Sequence, residues 1–285
     1  MRIFTKTILL LYFLILFSDT VWSQSAIDSF LKPSDTLNIA RRNAVIISES
    51  LLFVGGILLM NKPFSKDFMN SNCHFINDNS TYLQMDKAAH AFSSYQIGSV
   101  SCEAIRWSGV SRKNQLIYGA GMGFVFLTTV ELMDGSSKNG GSSPGDIIAN
   151  AVGTSFYISQ ELLWKEQRIV PKFSFNSSKF FSSNPRIMRS KIENEFDGQT
   201  FWLSVNLHSF FKGSIIPKWL NFAVGYGVEG VNSKDYATTQ QSDPYRQLYF
   251  SLDVDLTRIK TDSPILKTVF YVLNTIKVPA PAIDF

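Results

Sequence analysis

The sequence predicts an α+β protein, a bundle of about four short apolar helices followed by a small antiparallel β-sheet and a C-terminal helix. Two observations carry that expectation. Between Ala44 and Trp164, four apolar stretches rich in Gly, Ala, Ser and Thr are separated by turn-forming segments. Between Phe201 and Leu256, three runs alternate apolar and polar residues with period two. Composition bounds the class. Of 285 residues, 45% are hydrophobic and 18% charged, oilier than an average soluble domain. The 27 Lys and Arg against 23 Asp and Glu give a formal charge of +4. They are scattered rather than clustered, so no nucleic-acid partner is expected.

The chain opens with a basic MRIFTK, an apolar ILLLYFLILF and then Val21-Trp22-Ser23. Residues 1–23 therefore form a secretory signal peptide, cut near Ser23 to leave Gln24; the alternative is an uncleaved anchor helix. No lipobox cysteine follows the apolar run, so a lipid anchor is not expected. Cys73 and Cys102 then lie in an exported protein, where a disulfide is chemically permitted. A buried free thiol at Cys102 is the competing expectation.

Residues 24–42 form a polar lead-in. The first helix, Ala44 to Met60, is at the short limit for a membrane span and is interrupted by Glu49 and a Gly-Gly pair. After the loop SNCHFINDNSTY, a second helix runs from Leu83 to Trp107. SGVSRKN turns into a third, Gln115 to Met133. The Gly/Ser loop DGSSKNGGSSPG leads to a fourth, Asp146 to Trp164, with Pro144 just ahead of it, where a helix-starting proline belongs. Small residues let helices approach closely. Both short membrane-embedded helices and a compact bundle lying against a membrane fit.

From Phe173 to Glu195 the chain is polar and irregular. Three strands follow: Phe201 to Phe210, with Phe201, Leu203, Val205 and Leu207 on one face; Leu220 to Val231, with Leu220, Phe222, Val224, Tyr226 and Val228; and Arg246 to Leu256, with Leu248, Phe250, Leu252, Val254 and Leu256. Three strands are too few to close a barrel by themselves, so a small sheet packed on the helices is expected. SPILKTVFYVLNTIK forms the last helix and VPAPAIDF an extended tail. The expected units are the signal peptide (1–23), a helical domain (24–170) and a β-rich extension (171–285).

The stretch QMDKAAHAFSSY, Gln84 to Tyr95, places an acid, a base and an imidazole at one helix start: Asp86, Lys87 and His90 share a face. In an up-down-up bundle, Glu131 and Asp134 at the end of the third helix, and Asp146 and Asn150 at the start of the fourth, come to the same end. Trp107 and Trp164 mark the other end, as at a membrane interface. Each residue also has a plain structural role available: Asp86 and Asp146 as caps, Glu131 with Lys87 as an ion pair, Asn150 and Gly153 in close packing. Taken together, His90, Asp86 and Glu131 form the candidate reactive core, and Lys87, Tyr95, Asp134, Asp146 and Asn150 the candidate ligand-binding set.

The series Asp86-Lys87-x-x-His90, then Glu131, then Asp146-x-x-x-Asn150-x-x-Gly153 resembles VanZ-like membrane proteins. More closely, the chain resembles the YfiM-like family of predicted periplasmic lipoproteins of unknown function. Glu131-Leu132-Met133-Asp134-Gly135 and the segment Gly145 to Asn150 carry that resemblance, and DGQTFWLSVN and PKWLNFAVGYG are similar to its extended branch. The resemblance implies a cell-envelope location facing the periplasm and a shared pocket, but no reaction.

Two kinds of function remain open. The cluster binds an envelope ligand, a lipid headgroup or glycan, or holds the bundle in register. Alternatively, the protein is a metal-dependent hydrolase acting on a lipid or cell-envelope ester or phosphoester. One histidine is thin for zinc, and an oxygen-rich donor set suits magnesium or manganese better. H-E-x-x-H, G-x-S-x-G and P-loop patterns are absent. The alternating strands also offer an edge to a protein partner.

Overall fold

The computed structural model describes residues 21–59, 73–136, 140–175, 196–231, 244–278 and 280–284. The hydrophobic run of the expected signal peptide, Met60 and the whole of 176–195 lie outside the described residues. The expected polar lead-in is instead helical on both sides of Pro33. Helix α1 spans Val21–Leu31 and α2 spans Ile39–Leu59, so the cut expected near Ser23 falls in the first turn of α1. The start of α2 is set by a cap rather than by its apolar run: Asn38 Oδ1 accepts from Arg41 N at 3.0 Å. Arg41 reaches back to the Lys32 carbonyl at 2.8 Å and lies 4.6 Å over the Trp107 ring.

Helix α3, Met85–Trp107, is the axis of the bundle. A helical turn at Arg112–Asn114 and a π-helical turn at Gln115–Ala120 lead into α4, Gly121–Gly135. Together Arg112–Gly135 makes 24 helical residues, enough by length and composition to cross a membrane. Helix α5, Pro144–Leu163, starts at a Ser143 cap whose side chain accepts from Asp146 N. Helices α4 and α5 both pack on α3.

The β part is a five-stranded antiparallel sheet in chain order: β1 Ile169–Phe175, β2 Gln199–Asn206, β3 Leu220–Glu229, β4 Tyr245–Val254 and β5 Ala282–Asp284. Three of these strands are the alternating runs. Strand β1 crosses the 170/171 boundary, and its Pro171-Lys172 pair hides any alternation. Strand β2 ends four residues earlier than expected because Asn206 Oδ1 accepts from Ser209 N and Oγ at 3.0 and 2.7 Å, turning Leu207–Phe210 into a helical turn. Leu256 likewise leaves β4 for a 3₁₀ turn capped by Asp255. The last helix, α6, covers Pro264–Leu273, and the chain after it touches both sheet edges. Phe173 N donates to Thr275 O at 3.0 Å and Lys277 N to Phe173 O at 2.9 Å on the β1 side, while β5 pairs with β4.

The register puts Lys172, Trp202, Ser204, Asn206, Asn221, Ala223, Ser251 and Asp253 on one face, and this polar face is the more deeply buried one. Lys172 and Asp253 have no exposed side-chain surface and pair at 2.8 Å. The ammonium also donates to Val254 O and Asn274 Oδ1 at 2.8 and 2.9 Å, so its three donors are satisfied. Ser204 Oγ donates to Asp253 Oδ2 at 2.6 Å, and Asn221 bridges Ser204 and Asn206. The apolar face meets α3 through Phe92, whose ring lies 6.1 and 5.4 Å from Phe173 and Phe201. Leu203, Leu248 and Leu252 on that face stay exposed.

Removing one partner of an enclosed ion pair strands a charge, at a cost of about 3–5 kcal/mol. Asp253→Ala is therefore expected to lower unfolding stability by that order in chemical denaturation, and Lys172→Met added to it to recover most of the loss. A second pair is pH-sensitive. Glu166 bonds Arg168 at 2.9 Å and Arg258 at 3.0 Å, tying the α5–β1 connector to the segment after β4. Burial raises the Glu166 carboxyl, but the hydrogen bonds and charge of the two arginines outweigh it and hold it below its ordinary value. A depressed carboxylate stabilises the fold above its unfolded pKa and ceases to do so as pH falls through the folded one. The melting-temperature gap between wild type and Glu166→Gln should be present at pH 7 and close below about pH 4.

Candidate functional site

Three segments build the site. Two are helix starts, α3 and α5, and the third is the end of α4. The start of α3 is unusual: Tyr82, Leu83 and Gln84 all have positive φ, at 49°, 51° and 65°. Left-handed backbone costs a non-glycine residue roughly 1–2 kcal/mol. The sheet holds it in place. Tyr226 Oη donates to Leu83 O, Arg246 donates to Gln84 Oε1 at 3.0 Å, and the Tyr82 ring packs 5.0 Å from Phe196. The loop before it is laced to the α4–α5 connection: His74 N donates to Gly135 O, Ile76 N to Ser142 O and Ser142 N to His74 O, each at 2.9 Å. This lacing brings Asp78 and Ser143 to Lys87.

The centre of the site is His90. Its Nδ1 lies 3.0 Å from Asn150 Oδ1, an amide oxygen that accepts the Nδ1 hydrogen and fixes the orientation of the ring. Nε2 faces three carboxylate oxygens: Asp86 Oδ1 at 3.8 Å, Asp146 Oδ2 at 3.9 Å and Glu131 Oε2 at 4.0 Å. These separations are too long for hydrogen bonds. Each carboxylate is held from behind through its other oxygen. Lys87 Nζ takes Asp146 Oδ1 at 2.9 Å and Asp86 Oδ2 at 3.4 Å, and the Ser143 backbone N–H donates to Glu131 Oε1. Four inner atoms thus converge, and each has an outer partner fixing it.

Lys87 also bonds Asp78 at 2.6 Å. Burial lowers the ammonium, but its bonds to Asp78 and Asp146 more than compensate and leave it above its ordinary value. Asp78 is pushed up by burial and pulled further down by Lys87 and Ser143. Asp146 ends raised: burial, with the Asp86 charge beside it, outweighs Lys87 and His90. Glu131 and Asp146 are enclosed, whereas Asp86 keeps 28% of its side-chain surface exposed and is the open side of the cluster.

Of the residues singled out in the sequence, Asp86, Lys87, His90, Glu131, Asp146 and Asn150 meet here. Asp134 lies beyond Glu131 on α4, close enough for its charge to act on that carboxylate. Tyr95 is not part of the cluster. It is buried in the apolar core beside Tyr157, with its hydroxyl donating to Gln167 after the far end of α5. Its spacing from His90 is five residues, which turns it off the His90 face. Cys73 is an exposed free thiol and Cys102 a buried one. Asp78 and Ser143 belong to the cluster and were not foreseen. Ser143 carried a signal in the Ser-Pro-Gly-Asp start of α5, but Asp78 is one of several polar loop residues and carried none.

Residues 74–160 match the protein family described as predicted periplasmic lipoprotein (DUF2279). That span holds every residue of the cluster and ends within α5, ahead of the sheet. The match supports a periplasmic lipoprotein family of unknown function, and with it an exported, envelope-associated protein facing the periplasm. The cysteines of this chain, at positions 73 and 102, both fall far from the expected signal peptide, residues 1–23. No curated protein and no solved structure matches the chain.

The site depends on how closely the helices approach. A Cβ on Gly153 of α5 would stand 2.0 Å from Ala91 O of α3, whereas one on Gly121 meets nothing within 4 Å. Gly153→Ala should cost about 1–3 kcal/mol by forcing α3 and α5 apart. Gly121→Ala should not destabilise in the same thermal-melt series.

Proposed function

We propose that this protein is a cell-envelope, membrane-associated protein whose His90 cluster binds a divalent cation, through which it holds an anionic group of an envelope ligand such as a lipid headgroup or glycan. The observation that carries this reading is the convergence of the His90 Nε2 and three carboxylate oxygens, which lie 3.8–4.0 Å from it. Those separations are too long for hydrogen bonds and leave room for one ion between the four atoms. Asp86, His90 and Asp146 offer donor atoms all within 4.8 Å of each other. The oxygen-rich set favours magnesium, manganese or calcium over zinc. The Asn150 bond to Nδ1 and the Lys87 and Ser143 bonds to the carboxylates are the outer contacts that orient metal ligands. One cation would also offset the excess of carboxylates over Lys87.

The exposed side at Asp86 gives the ion an open position for ligand. A metal-dependent hydrolase is the second reading, and it rests on that same open position. A water held there would be acidified by the ion.

The test is manganese binding to chelator-stripped protein in mild detergent, read by electron paramagnetic resonance. One site per chain is expected. His90→Ala should abolish it, and Asn150→Ala, which removes only the outer contact, should weaken it by roughly 10–100-fold. Equal binding by wild type and His90→Ala would reject the site. Manganese-dependent turnover of a generic phosphoester, lost in His90→Ala, would select the hydrolase.

A further inference from the structure

The end of the bundle opposite the His90 cluster carries a different surface. Between the 112–117 turn and the last turns of α5 lies a groove of about 510 Å³. Its floor is Leu116, Ile117, Ile158 and Leu162, and its rim carries Arg112, Lys113 and Lys165. Arg112 is paired with Glu161, whose other oxygen accepts from Gln167 Nε2 at 2.7 Å. The one carboxylate of the groove is therefore already neutralised. Lys113 and Lys165 are exposed, and among the described residues no carboxylate pairs with either. The groove joins an apolar floor to two uncommitted cations.

The surroundings repeat that chemistry. Leu163 beside the groove is exposed. Trp164 stacks edge-on to Phe210 at 5.4 Å, with the Arg168 guanidinium 5.0 Å over its ring. Through Phe210 the surface continues into the β2–β3 connection, where Phe211, Ile215 and Trp219 are exposed next to Lys212 and Lys218 in sequence. Aromatic side chains mixed with lysines, over exposed aliphatics, are what a phospholipid interface selects. Basic pockets between apolar helices take anionic headgroups.

We propose that this groove is a binding site for an anionic phospholipid: an acyl chain lies on Leu116, Ile117, Ile158 and Leu162, and the phosphate is held by Lys113 and Lys165. The charge complementarity sets the class, because a zwitterionic lipid would leave the two lysines with a cation beside them. The site is independent of the His90 cluster, which lies at the opposite end of α5.

The experiment is native mass spectrometry of the full mature protein in non-ionic detergent, titrated with phosphatidylglycerol or with phosphatidylcholine. The expected result is one preferentially retained phosphatidylglycerol. Lys113→Gln with Lys165→Gln should weaken it about 30-fold, from roughly 5-fold per basic residue, while an unchanged thermal melt is the check on folding. Equal retention of the two lipids, or an unchanged affinity in the double variant, would overturn the proposal. Displacement of phosphatidylglycerol by inorganic phosphate at similar concentration would also overturn it, reassigning the groove to free anions. Leu162→Gln provides a second arm. It should weaken the lipid without touching the cations, and no effect would remove the acyl-chain contact from the proposal.

Discussion

The close approach of α4 and α5 to α3 is the constraint on which the rest of the molecule depends. It is made by glycines facing backbone. A Cβ on Gly123 would stand 2.0 Å from Ser94 O, one on Gly98 2.5 Å from Ala120 O, and one on Gly119 2.5 Å from Cys102 Cα, in addition to Gly153 against Ala91. At such distances a single methyl displaces a helix, so the register of the three helices is set to a fraction of a turn. Polar side chains then complete the seam: Ser94 Oγ lies 2.7 Å from both Asn150 O and Thr154 Oγ1. That register is what places Asp86, His90, Glu131, Asp146 and Asn150 within reach of one another. The cluster is a consequence of glycine packing several turns away as much as of its own hydrogen bonds.

The sheet solves a different problem. Its deeply buried face is polar, organised around Lys172 and Asp253, and its apolar face is shared between α3 and the surface. An enclosed ion pair is weak as a source of net stability, because desolvation offsets most of the attraction. What it supplies is a fixed geometry: every hydrogen-bonding group around Lys172 has one place to go. This rigid sheet then acts on the site. Tyr226 and Arg246 hold the left-handed turn at Leu83 and Gln84, which aims the first turn of α3 and with it Asp86 and Lys87. A strained turn held from outside the bundle is a common setting for a functional group.

The molecule is also polar along its long axis. One end gathers carboxylates around a single imidazole; the other gathers aromatic side chains and lysines around an apolar groove. Exposed aliphatics on α2, α4 and α5 lie between them, among them Leu51, Leu52, Val125, Ile148 and Val152.

Much of this was legible in the sequence, and the parts that were not share a cause. Four apolar helices, three alternating strands, the terminal helix and the convergence of Asp86, Lys87, His90, Glu131, Asp146 and Asn150 follow from local periodicity and from the alternation of direction that short connections impose. Strand β1 was hidden because its central Lys172 is buried by an aspartate 81 positions later in the chain. Strand β5 was hidden because three residues of tail carry no pattern until β4 is beside them. Alternation revealed the two faces of the sheet but not that the fold encloses the polar one more deeply. Asp78 joined the cluster through a loop pairing no spacing rule could announce, and Tyr95 left it through a hydrogen bond to Gln167. By itself the sequence determined the apolar helices and the alternating strands, the direction of each bundle helix and the end of the bundle where ionisable groups collect, because those depend on neighbours within a few residues. Only the tertiary structure decided which oxygens face His90 Nε2 and which are held from behind, because that depends on glycine contacts and loop pairings between residues far apart in the chain.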